Sequence, residues 1–310
     1  MMKLRDGSWL TAYMYSGLKN RIRIKRSFDN MRTWQYLTDI VDPDRDYDNP
    51  GFCNLPDGRI MLGVRSFYRG QTYYVETFIS NDQGNSFQHQ SVVDGGYAKG
   101  VYEPYLYILP DGSLACYYAN ENHPGYDQTL SMRISQDGGF TWGPERFVIA
   151  QPGYPRPGTA NIVPLPGGIL ALFYELCGVD QCYGHIIYSP DGINWPLGFG
   201  PTVPETYQAI EALEMTNGLI LVSSNNRDLV ISPDYTSTWS ARQSYPGNYG
   251  KWPGLYQTGV NEFVITLAGA GQNGEAGLYL TFGSVDPAAF FFPTTKVCRG
   301  LEIARHQACR

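Results

Sequence analysis

Two glutamates carry the strongest chemical signal in this chain. Glu103 stands in Val101-Tyr102-Glu103-Pro104-Tyr105, and Glu175 closes the apolar run Ile169-Leu170-Ala171-Leu172-Phe173-Tyr174. A carboxylate at the end of an aromatic-rich strand costs free energy unless it is paired or exposed. Two carboxylates facing one cavity are the minimum equipment for cleaving a glycosidic bond, one as acid and one as nucleophile or base. The competing structural reading pairs each with an arginine, such as Arg65 or Arg156, to hold loops.

Weaker candidates surround this pair. Glu211, in Gln208-Ala209-Ile210-Glu211-Ala212-Leu213, faces either a channel or a neighbouring strand. Arg156 lies on a Pro-rich loop, Tyr154-Pro155-Arg156-Pro157-Gly158. Trp252 and Tyr256 are placed either to stack on a sugar ring or to fill a core. Asn120, Glu121, Asn122 and His123 follow an apolar strand and are expected at a rim; His123 is a poor catalytic candidate. No Cys or His cluster has metal-ligand spacing, and no Gly-rich loop opens a helix, so no metal or other cofactor is expected.

The elements that must position these residues are read from a repeat. A turn followed by an apolar strand occurs at Leu4-Arg5-Asp6-Gly7, Leu55-Pro56-Asp57-Gly58, Leu109-Pro110-Asp111-Gly112, Leu165-Pro166-Gly167-Gly168 and Met215-Thr216-Asn217-Gly218, and more weakly at Gln257-Thr258-Gly259. Proline presets φ and Asp-Gly supplies the positive-φ corner of a tight hairpin. A second motif follows each turn, best preserved as Ser135-Gln136-Asp137-Gly138-Gly139-Phe140-Thr141-Trp142. Related boxes start at Ser27, Ser80, Ser189 and Ser232, with Met31 and Thr236 where glycine is usual, and Ser284 and Asp286 form a remnant. Their short polar side chains cap a turn and their aromatics pack between sheets. These aspartates are structural.

Each unit of roughly fifty residues therefore reads as four antiparallel strands, one propeller blade. The expected fold is all-β, a six-bladed β-propeller over 1–295, with blades ending near 45, 95, 150, 200, 248 and 295 and a tail over 296–310. Blade one lacks a strand before Leu4, so its N-terminus is expected to be truncated, unless the segment AAFFFPTTKV closes the ring. Aligned on the turns, Glu103 matches Asn49 and Thr159, so the fold itself demands no carboxylate there. Glu175 matches Arg65, Ala119 and Asn225. Polar groups at one end of successive central strands should converge on one mouth of the channel.

Composition agrees. The chain has 310 residues with 35 Gly, 21 Pro, 24 Tyr and 14 Phe, and only 17% are charged. Short strands and tight turns suit that mixture. A net charge of −6 without a basic run argues against a nucleic-acid partner. No apolar stretch is long enough to span a membrane, and no secretory leader is seen at the start. A monomer acting on a polysaccharide or oligosaccharide is expected. Cys177 and Cys182 bracket a short loop and are read either as a bridge or as two free thiols.

Repeated boxes of this type on a six-blade frame resemble the sialidase superfamily over essentially the whole chain, and a shared fold alone does not give function. Within it, YEPYLYILPDGS around Glu103 and ALFYE around Glu175 look most like the fungal exo-arabinanases of glycoside hydrolase family 93, as does their 72-residue separation across adjacent blades. That resemblance implies a secreted, retaining enzyme that releases arabinobiose from the non-reducing end of linear α-1,5-L-arabinan. Glu103 and Glu175 are the pair it carries over; the missing N-terminal strand and the shortened chain depart from its pattern. Glu175, on the more apolar strand, is expected to be the acid/base and Glu103 the nucleophile. An exo-sialidase is the alternative. It needs three arginines, for which Arg65, Arg156, Arg227 and Arg242 are available, but the arginine motif of its N-terminal strand is not seen. A non-catalytic sugar-binding propeller would need no pair of carboxylates at catalytic distance.

Overall fold

The computed structural model describes residues 1–179, 181–240, 243–245, 251–270, 276–285 and 296–298. Arg242, Asp286 and the end of the expected tail lie outside these residues.

The strands form six four-stranded antiparallel sheets, each in simple sequential order. Blade one holds β1 (Met2–Lys3), β2 (Trp9–Tyr15), β3 (Arg21–Ser27) and β4 (Gln35–Ile40). Blade two holds β5 (Arg45–Asn54), β6 (Ile60–Tyr68), β7 (Thr72–Ser80) and β8 (Gln88–Tyr97). Blade three holds β9 (Val101–Ile108), β10 (Leu114–Asn120), β11 (Thr129–Ser135) and β12 (Arg146–Ile149). Blade four holds β13 (Arg156–Pro164), β14 (Leu170–Cys177), β15 (Tyr183–Ser189) and β16 (Thr202–Tyr207). Blade five holds β17 (Glu211–Glu214), β18 (Ile220–Ser223), β19 (Asp228–Ser232) and β20 (Gln243–Ser244). Blade six holds β21 (Lys251–Gln257), β22 (Glu262–Ala270), β23 (Ala276–Ser284) and β24 (Lys296–Cys298). The first strands of neighbouring blades touch one another and so line the axis.

Three expectations are corrected. Blade one does have an inner strand, because Met2 and Lys3 pair with Leu10 and Trp9. Blade four runs on to Tyr207, not to 200, since a long loop precedes its outer strand. The sixth sheet continues past 295: Val297 pairs with Thr281, making β24 the outer strand of blade six. Each described blade is thus built from its own continuous stretch of chain, and side-chain packing closes the ring.

The repeat explains the core. Six apolar clusters fill the six gaps between adjacent blades. The aromatic of each box enters the gap toward the preceding blade: Phe87, Trp142, Trp195, Trp239 and, across the closing gap, Trp34. In the best box Ser135 Oγ accepts from Gly139 N–H at 2.8 Å, while Asp137 accepts from the Thr141 amide at 2.9 Å and its hydroxyl at 2.6 Å. Those bonds, with Thr141 the largest contributor, hold the Asp137 carboxyl down at about 2. Gly139 needs φ +89° there, and Met31 and Thr236 adopt φ 67° and 77° at the same point without being glycine.

One backbone feature positions the site. Six residues before the leading residue of four turns, and five before Gln257 of the sixth, the chain on or entering the inner strand carries a residue in the left-handed region: Asn49 (φ 47°), Glu103 (56°), Thr159 (51°), Ala209 (45°) and Trp252 (59°). Register breaks beside four of these residues mark β-bulges, which bend a strand and re-aim a side chain. The sequence alignment of Glu103 with Asn49 and Thr159 therefore corresponds to a shared conformation.

Candidate active site

Glu103 and Glu175 meet at the start of β13. A β-carbon placed on Gly158 would stand 2.8 Å from Glu103 Oε2 and 3.5 Å from Glu175 Oε1, so both carboxylates flank one glycine. A side chain there would force Glu103 Oε2 to shift and would touch Glu175 Oε1 at ordinary contact distance. Glu103 Oε2 accepts from the Thr159 amide at 2.8 Å. Glu175 Oε2 accepts from the Ala209 amide of the next blade at 2.6 Å, and the Glu175 amide donates to Thr159 Oγ1 at 3.3 Å.

Burial raises both carboxyls above the ordinary range. For Glu103 the next cause is the negative charge of Glu175, while the Thr159 amide and Arg65 oppose the shift and Asp48 adds to it. For Glu175 burial is opposed by the Ala209 amide and by Arg156. Two carboxyls this close titrate as a pair that shares a proton.

A charged belt surrounds the pair. Arg65 makes a two-pronged ion pair with Asp48 and lies 5.0 Å from the Tyr102 ring. Tyr102 donates to Glu121 at 3.2 Å, and Glu121 accepts from Arg156 on its other oxygen. Arg156 also donates to Gln128 at 2.8 Å, whose amide reaches the Pro157 carbonyl at 2.8 Å. Cys177, the strand partner of Arg156, is bridged to Cys182 with a Cα–Cα distance of 4.1 Å. The Cys182 carbonyl then accepts from the Gln208 amide at 2.8 Å, beside Ala209.

The structure thus brings together Glu103, Glu175, Arg65 and Arg156. Trp252 is half exposed, and its amide donates to Asn225 Oδ1 at 2.6 Å. Asn225 occupies the register of Glu175 and makes the same kind of bond to the next blade, so its oxygen is already taken. Asn120 does not join the site. It is buried, bonding Glu145 at 3.1 Å and the Asn122 amide at 2.9 Å, because its side chain turns into its own blade. His123 likewise bonds Glu145 at 2.9 Å.

Glu211 and Tyr256 lie deeper along the axis. Glu211 stands two residues past Ala209, as Tyr105 stands two past Glu103, which makes a second layer below the carboxylate pair. Burial pushes Glu211 up to about 8. The Met1 amine donates to the Tyr256 hydroxyl at 2.5 Å, and the half-buried Tyr256 ring packs against the apolar cluster between blades six and one. A separate depression of about 420 Å³, lined by Glu214, Met215, Thr216, Asn217, Gly218 and Tyr235, lies at the turn end of blade five and contains neither catalytic candidate.

Sequence reasoning missed Thr159, Asp48, Gln128 and Gly158. Thr159 had been aligned with Glu103, but only the folded bulge reveals what its backbone touches. Asp48 precedes Asn49, at the equivalent bulge of blade two, which is the one signal that marked it.

No family model matches the chain, and no curated protein sequence matches it. Solved structures do. The α-L-arabinanase of Penicillium chrysogenum, complexed with arabinobiose, is 21% identical over 94% of this chain and 93% of its own, with a TM-score of 0.76. The GH93 α-L-arabinofuranosidase of Fusarium graminearum, also with arabinobiose, is 18% identical over 91% of each chain, with a TM-score of 0.74. The NanB sialidase of Streptococcus pneumoniae is 12% identical over 86% of this chain and 64% of its own, with a TM-score of 0.64. At these identities what is shared is the six-bladed fold.

Proposed function

We propose that this protein is a retaining exo-glycosidase that releases arabinobiose from the non-reducing end of linear α-1,5-L-arabinan. The observation that carries the reading is the meeting of Glu103 and Glu175 on Gly158. The two flanking oxygens are separated by no more than those two contact distances together. A spacing of that size is compatible with the ~5–5.5 Å between carboxyl groups of a retaining pair. Similarity over nearly the full length to two structures that hold arabinobiose supports the sugar.

In this mechanism one carboxylate attacks the anomeric carbon as the other protonates the departing glycosidic oxygen. The glycosyl ester is then hydrolysed by water, which the second residue deprotonates. Glu103 is assigned as nucleophile and Glu175 as acid/base. That division requires Glu175 to carry the pair's proton and Glu103 to be ionised when the glycosidic bond breaks. The belt around the pair favours a neutral sugar over a sialoside. Arg65 and Arg156 are each already matched by a carboxylate, Asp48 and Glu121, and so offer little net charge to a substrate carboxylate. The Cys177–Cys182 bridge supports action outside the cell, where disulfides persist.

Product analysis after incubation with linear arabinan, debranched arabinan and a sialoside tests the reading. Arabinobiose as the sole early product from linear arabinan, first formed with retained configuration, is the expected result. Mixed longer oligosaccharides would refute the exo mode. Free sialic acid would transfer the function to the arginines, and no product from any of them would favour a binding propeller.

A further inference from the structure

Thr159 contacts both glutamates through different atoms. Its amide donates to Glu103 Oε2 at 2.8 Å and its hydroxyl accepts from the Glu175 amide at 3.3 Å. The bulge explains why. Gly158 pairs with Glu175, but the next register pair is Asn161 with Phe173, so Thr159 and Ala160 together oppose Tyr174. The Glu175 amide loses its ladder acceptor at that break and takes the threonine hydroxyl instead. Thr159 holds φ 51°, a conformation that a β-branched residue adopts only when its surroundings impose it. Blades five and six carry Ala209 and Trp252 at this place, neither with a hydroxyl, so the fold itself does not require one.

We propose that Thr159 is a positioning residue, whose amide and hydroxyl together fix the spacing and mutual orientation of Glu103 and Glu175. The inference rests on the reading of those two as the catalytic pair. The hydroxyl anchors the backbone that carries Glu175, and the amide of the same residue anchors the carboxylate of Glu103, so movement of either is limited by one short linkage. The charged groups facing the pair are Arg65 and Asp48 toward Glu103 and Arg156 toward Glu175. Thr159 has no charge of its own and acts on the pair by geometry.

The test compares Thr159→Val, which keeps the shape and β-branching but removes the acceptor, with Thr159→Ser, which keeps the acceptor. On linear arabinan the valine variant should lose about 10- to 100-fold in kcat with KM changed less than about 3-fold, because small misplacements of reacting groups cost about that much. The serine variant should recover to within about 3-fold of the parent in kcat. A second readout needs no activity. Carboxyl titration by ¹³C NMR, assigned with Glu103→Gln and Glu175→Gln, should show the shared upper step of the pair moving to lower pH in the valine variant. Carboxylates freed to separate repel one another less. The serine variant should leave that step in place. Unchanged kcat and unchanged titration in the valine variant would overturn the proposal. If the parent releases nothing from arabinan, the functional reading fails, and the titration still decides the role of Thr159.

Discussion

The Ala209 amide reaches across a blade boundary to Glu175 Oε2 at 2.6 Å, and it points there because Ala209 sits in the left-handed region. Blade five repeats the device toward blade six, where the Trp252 amide meets Asn225 at 2.6 Å. The acceptor is an amide oxygen in one case and a carboxylate in the other, so the clamp needs an oxygen and not a charge. Glu175→Gln should therefore retain the bond and leave Tm within about 3 °C, as should Glu103→Gln. Each should lower kcat on arabinan by about 10³-fold or more. Near-normal turnover in either variant would remove that residue from the catalytic pair.

Trp252 is 50% exposed at the mouth and shares its conformation with Ala209, so alanine is sterically acceptable at this bulge. Trp252→Ala should raise KM by about 10-fold while kcat stays within about 3-fold, the loss of one aromatic contact with a sugar ring. A fall in kcat alone would place the side chain outside the ground-state contact surface.

Closing the loop between Cys177 and Cys182 holds Arg156 on one side and the segment before Ala209 on the other. Replacing both cysteines with serine should cost about 2 kcal/mol in denaturant unfolding, the chain-entropy value for so short a loop. The same variant should lose turnover as the Ala209 amide drifts from Glu175. Full activity together with lowered stability would confine the bridge to a structural role.

Glu211 offers a stability test with a definite sign. Its folded-state carboxyl titrates at about 8 because of burial, against about 4.3 in an unfolded chain. From Glu211 alone the native state binds an extra proton between those values, a contribution that falls as pH rises through the window. The neighbouring Met1 amine, lowered by burial to about 5, contributes the opposite sign, so the test compares the variant with the parent. Glu211→Gln keeps an acceptor oxygen but cannot ionise. It should match the parent near pH 5 and exceed it near pH 9 by up to about 5 kcal/mol, the linkage of a carboxyl moved from about 4.3 to about 8. Urea unfolding at the two pH values measures this, and equal differences at both would show that Glu211 does not titrate in that window. The box aspartates act oppositely. Asp137 and Asp191 are held at about 2, chiefly against burial for Asp191 and by Thr141 for Asp137, so what they contribute is present above pH 4 and lost in acid.

Thr236 keeps φ 77° at a box position where other blades use Gly84, Gly139 and Gly192. Its hydroxyl bonds the Tyr188 hydroxyl at 2.7 Å in an exposed setting, which recovers little of the strain. Thr236→Gly should stabilise the protein by about 0.5–1 kcal/mol. Met31, at the same position in blade one, is buried in the gap that closes the ring. Met31→Gly should instead destabilise it by about 2 kcal/mol or more, because lost packing outweighs relieved strain. Thermal unfolding of the two variants in parallel reads the contrast directly.

The six blades were legible because the repeat is written in local chemistry. A Pro-Asp-Gly corner needs its glycine, and a Ser-x-Asp turn needs its short polar side chains, so each blade announces its own turns. The same alignment placed Glu103 on the inner strand of blade three and Glu175 near the end of the second strand of blade four. It also put Glu103, Asn49 and Thr159 in one row. What it could not supply was how the rows meet around the ring. The partners of the glutamates come from Thr159 and Ala209, amides 56 and 34 residues away in the chain. Every residue type but proline supplies an amide N–H, so no side-chain pattern marks it. The burial of Asn120, the packing of Tyr256, and the pairing of Arg65 and Arg156 with Asp48 and Glu121, likewise depend on where strand register and bulges aim each side chain. The sequence determined the fold and the identity of the two carboxylates. Tertiary structure alone decided their separation and which backbone groups hold them, because those depend on contacts between blades and not within them.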